Sequence, residues 1–207
     1  MVIFSLVAVA SYLLGSIPFG YLAGRLAGID IRKFGSGNIG ATNVVRVLGK
    51  RYGYPVFALD FLKGLTAVIL SSAVARMADP PWPSPQVFGI SAAISAVVGH
   101  SFPPWLKFRG GKGVAVSAGA LFGLMPFAAL IGSAIWVVVF FTTRFVSAAS
   151  IAAVIVLPLV IGITTRSESD GKALFYASVC LAAFVLWRHR SNVSRLIHGS
   201  EARFTRK

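Results

Sequence analysis

Thirty consecutive residues, Val114 to Thr143, carry no charge, and a second uncharged run extends from Val2 to Gly24. Few folds can absorb such runs. About 20 apolar residues in helical form cross a hydrocarbon core roughly 30 Å thick. The rest of the chain agrees with that reading: of its 207 residues 56% are hydrophobic and 13% charged, with a mean hydropathy of +0.78. An ordinary soluble domain is more polar than this.

The runs define the expected spans. Val2 to Gly24 is the first. A signal peptide normally begins with a basic region, whereas here the positive charge follows the apolar run, so this segment is expected to be retained. Pro55 to Ala75 is the second, interrupted by Asp60 and Lys63, whose spacing of three places them on one helix face where they can pair. Gln86 to Leu106 is the third and carries His100 near its end. Val114 to Thr143 is too long for one helix, and Gly123-Leu-Met-Pro126 divides it, because proline removes a helical hydrogen bond and clashes with the preceding turn. Phe145 to Thr165 and Ala173 to Trp187 complete the set, the last extended by snorkelling of Lys172 and Arg188.

Charge orients these spans. Lys and Arg total 20 against 6 Asp and Glu, a net charge of +14. Arg25, Arg32, Lys33, Arg46, Lys50 and Arg51 lie in one loop, Lys107, Arg109 and Lys112 in a second, and Arg188, Arg190, Arg195, Arg203, Arg206 and Lys207 in the C-terminal tail. The stretches Asp79 to Pro85 and Arg166 to Lys172 carry little net charge. The positive-inside rule puts all three basic segments in the cytoplasm, which requires an even number of crossings between Lys112 and Arg188. Division at Pro126 satisfies this and places Arg144 inside. The expectation is an all-α polytopic bundle of seven transmembrane helices, N-terminus outside and C-terminus inside, forming a single domain over residues 1–207. Its weakest member is Val114 to Met125, since about 12 residues give only ~18 Å of helix. The basic residues fall between apolar runs, which argues against a nucleic-acid partner. A lone Cys180 excludes an intramolecular disulfide and a cysteine zinc cluster.

Two basic loops have the composition of anion sites. In Gly35-Ser-Gly-Asn-Ile-Gly-Ala-Thr-Asn43, followed by Arg46, the glycines let backbone N–H groups converge. Ser36, Asn38, Thr42 and Asn43 add neutral donors, and the Arg46 guanidinium can grip phosphate bidentately. The spacing of Gly35, Gly37 and Gly40 matches G-x-G-x-x-G, but the βαβ unit that motif requires is missing. In the second loop, Gly110-Gly111-Lys112-Gly113 leads directly into an apolar run, setting a cation and N–H groups at a helix N-terminus. Gly113 stands where a Walker A loop needs Ser or Thr. Each loop taken alone also reads as a polar turn bearing topology charges; two on one membrane face favour phosphate binding. His189 and Asn192 project together at the exit of the last span. His100 is either a helix-end hydrogen-bonding residue or a catalytic base. Asp60 and Lys63 are expected to face the bundle interior, since ionisable groups within a span are costly. There is no G-x-S-x-G elbow, no His-x4-Asp pattern and no recognisable metal site.

Gly15-Ser-Ile-Pro-Phe-Gly20, the Gly35 to Asn43 loop with Arg46, Gly99-His-Ser-Phe-Pro103 with Phe108-Arg-Gly-Gly-Lys-Gly-Val-Ala115, and His189-Arg-Ser-Asn192 occur in this order over nearly the whole chain. Together they resemble the bacterial PlsY family of acyl-phosphate:glycerol-3-phosphate acyltransferases. The resemblance implies a cytoplasmic-membrane enzyme with its active site on the cytoplasmic side. It would need no cofactor and would use neither acyl-CoA nor acyl carrier protein. It would make lysophosphatidic acid and phosphate from acyl-phosphate and glycerol 3-phosphate, in functional coupling with an enzyme that produces acyl-phosphate. By motif, Ser36, Arg46, Lys112, His189 and Asn192 would hold glycerol 3-phosphate, with Gly37, Asn38, Thr42 and Asn43 in the same loop. The Gly110 to Gly113 loop would lie near the acyl-phosphate, and either Ser147 or Ser150 would contribute.

An acyl-phosphate is already activated, so the expected work is positioning and charge stabilisation, by direct transfer without an acyl-enzyme. Ser36, His100, Lys112 and His189 are the candidate catalytic residues, and the proton goes either to a histidine or to substrate phosphate. The competing reading is a transporter or flippase for a phosphorylated metabolite. Against it stand the one-sided basic motifs and the absence of a repeat.

Overall fold

The computed structural model of the chain describes residues 1–77 and 83–204, and every regular element among them is helical. In chain order these are α1 (Val2–Gly15), α2 (Phe19–Leu26), α3 (Ala41–Leu48), α4 (Lys50–Arg76), α5 (Pro85–Ser101), α6 (Val114–Leu124), α7 (Pro126–Thr143), α8 (Val146–Thr164), α9 (Gly171–Arg188) and α10 (Arg190–Ile197). Short 3-10 turns occupy Ile31–Lys33 and Pro104–Leu106.

Six segments are long and apolar enough to cross a membrane: Val2–Leu26, Lys50–Arg76, Pro85–Leu106, Pro126–Thr143, Val146–Thr164 and Gly171–Arg188. The chain is therefore a multi-pass integral membrane protein. The remaining expected span, α6, has 11 residues. At 1.5 Å per residue it reaches about 17 Å, little over half the hydrocarbon thickness.

Local chemistry moves several boundaries. The first span is not one helix: it breaks between Gly15 and Phe19, where Pro18 lacks an N–H, and resumes as α2. The segment from Arg25 to Arg51, expected as a loop, holds α3, and Gly49 at φ 83° turns the chain into α4, which starts five residues before Pro55. The break before Pro126 lies where the sequence places it, with α6 ending at Leu124 and Pro126 opening α7. Ser84 caps α5 by accepting a hydrogen bond from the Val87 N–H at 3.2 Å. Most of the Asp79 to Pro85 stretch, together with Arg206 and Lys207, lies outside the described residues.

The chain forms two compact units, Met1–Leu124 and Met125–Lys207. In the first, α4 packs against α5 and α6 while α1 packs against α5. These contacts are backbone-close. A Cβ on Gly64 would strike the Val116 carbonyl and one on Gly119 the Phe61 carbonyl; Gly15 and Gly99 stand likewise against Ala96 and Tyr12. Small residues are how membrane helices gain packing where burial from water offers no drive. A local core of Ala23, Ile31, Ile39, Val44, Val56 and Leu106 joins the first glycine loop to α2, α3, α4 and the turn that precedes the second. In the second unit α8 packs against α7 and α9, and α10 lies against α8 and α9. Large apolar side chains such as Leu62, Leu70, Val138 and Ile163 are exposed, as lipid-facing residues should be.

Candidate active site

In the first unit, Asn43 organises the Ile31 to Gly40 loop. Its Oδ1 accepts the Ser36 N–H at 2.8 Å, and its Nδ2 donates to the carbonyls of Asn38 at 2.9 Å, Phe34 at 3.1 Å and Ile31 at 3.4 Å. The amide is 2% exposed, so these are buried bonds that hold the loop's shape. Gly35 and Gly37, at φ 58° and 71°, supply the left-handed turns the wrap requires. Asn38 Oδ1 accepts the Gly40 N–H at 2.8 Å. Asn43 and Asn38 thus build the loop, while Ser36, Gly37 and Arg46 stand exposed on its surface and Thr42 is half-buried on α3. Arg32 is occupied locally: its guanidinium meets Asp30 at 2.7 Å and 2.9 Å and lies over the Tyr21 ring. That hydrogen-bonded pairing lowers the Asp30 carboxyl to about 2.

The second loop is fastened to the end of α5. Gly110 N–H donates to the Ser101 carbonyl and Gly111 N–H to the His100 carbonyl, both at 3.0 Å. These two N–H groups therefore shape the loop instead of facing an anion. Tyr12 Oη donates to the Phe102 carbonyl and Trp105 Nε1 to Ser16 Oγ, each at 2.8 Å, pinning the turn to α1. Lys107 and Phe108 both adopt positive φ, 53° and 61°, a strained pair that reverses the chain toward Gly110. Half-buried Lys112 and buried Gly113 then lead into α6, whose first-turn N–H groups have no intrahelical acceptors.

Beneath this loop, Asp60 and Lys63 of α4 meet His100 of α5. Lys63 Nζ lies 2.8 Å from Asp60 Oδ1, 2.8 Å from the Ile17 carbonyl and 3.1 Å from His100 Nδ1. All three side chains are at most 5% exposed. The sequence expectation of a paired Asp60 and Lys63 in the bundle interior holds, and His100 joins them.

In the second unit, Glu201 gathers the polar residues. Its Oε1 accepts from Ser147 Oγ at 2.7 Å and Asn192 Nδ2 at 2.6 Å, and its Oε2 from Arg195 Nε at 2.7 Å. Burial opposes ionisation of this carboxyl, yet the hydrogen bonds from Ser147, Asn192 and Arg195 prevail and hold it below the usual glutamate range. A carboxylate depressed in the folded state stabilises fully above its ordinary pKa, here 4.5, and that contribution fades as pH falls through the lower folded value. Melting of the purified protein as pH is lowered should reveal an acid-labile step that Glu201→Gln lacks. Ser150 turns elsewhere, donating to the Val146 carbonyl at 2.8 Å and accepting from Trp136 Nε1 at 3.1 Å. His189 Nδ1 lies 2.8 Å from the Val185 carbonyl, which can only accept; Nδ1 therefore carries a proton and donates it there.

Sequence reasoning did not single out Glu201. Its signal was present, as the sole acid among the basic residues after Arg188. The joining of His100 to Asp60 and Lys63 needed the α4–α5 packing and left no trace in spacing.

Comparison with known proteins covers the whole arrangement. A family model described as glycerol-3-phosphate acyltransferase matches residues 5–199. A glycerol-3-phosphate acyltransferase of Synechococcus elongatus is 46% identical, covering 95% of this chain and 92% of its own length. That of Aquifex aeolicus is 40% identical, covering 94% and 95%. Among solved structures, PlsY, an integral membrane glycerol 3-phosphate acyltransferase, superimposes in its glycerol 3-phosphate form with a TM-score of 0.86 at 37% identity, over 98% of this chain and 96% of the other. Its lysophosphatidic acid form gives a TM-score of 0.84 at the same identity.

Proposed function

Because the chain belongs to the glycerol-3-phosphate acyltransferase family, we propose that it transfers the acyl group of an acyl-phosphate to the sn-1 hydroxyl of glycerol 3-phosphate, releasing lysophosphatidic acid and phosphate. The observation that carries this reading is the likeness to one enzyme solved in both a glycerol 3-phosphate and a lysophosphatidic acid form. Substrate and product are thereby both represented.

We assign glycerol 3-phosphate to Ser36, Arg46, Lys112, His189 and Asn192, and the acyl-phosphate to the Gly110 to Gly113 loop and the N-terminus of α6. Ser147 is the serine we assign to the site, since it shares Glu201 with Asn192 while Ser150 is bonded to Trp136. The glycerol oxygen attacks the acyl carbon, the bond from that carbon to the phosphate oxygen breaks, and phosphate departs with the electron pair. His189 orients the hydroxyl, and the hydroxyl proton ends on the departing phosphate. Lys112 and the helix N-terminus offset the growing negative charge.

The match over residues 5–199 runs through both compact units, which supports a single acyltransferase domain. We further read α6 as a seventh, short span, with the N-terminus outside and the C-terminus inside, because sixteen of the 20 basic residues then lie in cytoplasmic segments. The site would face the cytoplasm of a bacterial inner membrane, where a partner enzyme must supply acyl-phosphate.

Rapid quenching with acyl-phosphate labelled at its carbonyl carbon tests the chemistry. Label should pass straight to glycerol 3-phosphate. Recovery of acylated Ser36 or Cys180 as a kinetically competent species would refute direct transfer.

A further inference from the structure

Lys63 lies between an acidic side chain, a backbone carbonyl and an imidazole. Flanked at 2.8 Å by the Asp60 carboxylate and by the Ile17 carbonyl, it is an ammonium, which has hydrogens to give and no lone pair to receive with. His100 Nδ1 lies 3.1 Å from this ammonium and 3.5 Å from Asp60 Oδ1; the closer partner is the donor, so we read Nδ1 as the acceptor. A neutral imidazole that accepts at Nδ1 carries its proton on Nε2. That nitrogen faces the glycine loop: a Cβ built on Gly111 would collide with Nε2 and its neighbouring ring carbons. The Nε2 end of the imidazole thus bounds the space at Gly111, and the His100 carbonyl takes the Gly111 N–H at 3.0 Å.

We propose that Asp60, Lys63 and His100 form a buried positioning device for the Gly110 to Gly113 loop, in which Lys63 fixes the His100 tautomer and ring plane and His100 sets the loop's register against α5. His100 is then a positioning residue and not the base that accepts the glycerol proton. Its one lone-pair nitrogen is engaged by Lys63. Lys63 also grips the Ile17 carbonyl where α1 breaks before α2, so one ammonium ties the first span, α4 and the loop together. Glycine at 111 follows from the device, because a side chain would displace the ring.

The kinetic part of the test rests on the assignment of acyl-phosphate to this loop; the spectroscopic part does not. Nitrogen-15 NMR of imidazole-labelled full-length protein at neutral pH, with His100 assigned by its loss in His100→Gln, should show Nε2 protonated and Nδ1 bare. Lys63→Met should release that tautomer preference. A protonated Nδ1 in the unaltered protein would overturn the proposal whatever the enzyme's substrate proves to be. In kinetics, His100→Gln and Gly111→Ala should each raise the acyl-phosphate KM by about tenfold, and the glycerol 3-phosphate KM with it because Lys112 rides on the same loop, while kcat falls less than about threefold. A histidine base would give the opposite split, a kcat loss of about a hundredfold with KM unchanged. If Lys63→Met does not fold, Gly111→Ala still decides, since the device requires it to reproduce the KM defect of His100→Gln. Unaltered acyl-phosphate KM in both variants contradicts the proposal, whereas inactivity of the unaltered protein toward acyl-phosphate would refute the functional reading alone.

Discussion

Replacing Lys112 with alanine should lower kcat/KM by at least about a hundredfold, the usual consequence of deleting one preorganised group from a site where negative charge develops. Lys112 sits between Gly111 and Gly113 at the entrance to α6, so its ammonium and the helix N-terminus act in the same direction. Compensating the charge of two phosphates is the main electrostatic task of the proposed reaction, and it falls to basic side chains and backbone N–H groups. Lys112→Arg keeps the charge but widens the head, and should recover part of the loss. Arg46→Ala, at an exposed position on α3, should act mainly by raising the glycerol 3-phosphate KM about tenfold or more. Neither change touches the core under the loops, so helix content by circular dichroism should be unaltered. Steady-state kinetics with each substrate varied separates the two effects, and near-normal constants in both variants would refute the phosphate assignment.

Glu201→Gln should have the largest effect on stability in the second unit. Three donors converge on its carboxylate within 2.6 to 2.7 Å, from Ser147, Asn192 and Arg195. The isosteric amide keeps one acceptor oxygen and turns an NH2 group toward donors. Loss of a charge-assisted set of this kind costs about 2 kcal/mol. A detergent-solubilised sample should therefore melt several degrees lower, and activity should fall as Asn192 and Ser147 lose their anchor. Asn192→Ala should differ in kind, with activity lost but a smaller drop in melting temperature. Equal melting temperatures for Glu201→Gln and the unaltered protein would show that the cluster has no structural weight.

Hydrophobic runs and proline punctuation made most of the fold legible, because in a membrane the length of an apolar run and the requirement for internal hydrogen bonding leave helices as the main solution. Less legible was what happens between spans. The division of Val2–Leu26 before Phe19 turns on Pro18 together with a carbonyl that Lys63 holds from 46 residues away. Helix α3 was hidden because glycine and basic residues around it read as loop. In the candidate site, residue types identified Arg46, Lys112, His189 and Asn192 as polar groups at the membrane boundary. Spacing could not separate ligand-facing groups from those that build the loops. Asn43 and the N–H groups of Gly110 and Gly111 belong to the second class, since their partners are backbone groups of the Ile31 to Gly40 segment and of the end of α5. Ser147 and Ser150 lie one turn apart on α8, and only tertiary contacts assign one to Glu201 and the other to Trp136.

The account turns on the nature of the acyl donor. Purified protein given acyl-phosphate and glycerol 3-phosphate, with no coenzyme A thioester and no acyl carrier protein present, should form lysophosphatidic acid and inorganic phosphate in equal amounts. Failure to turn over this pair, with activity appearing when an acyl thioester is the sole donor, would contradict it.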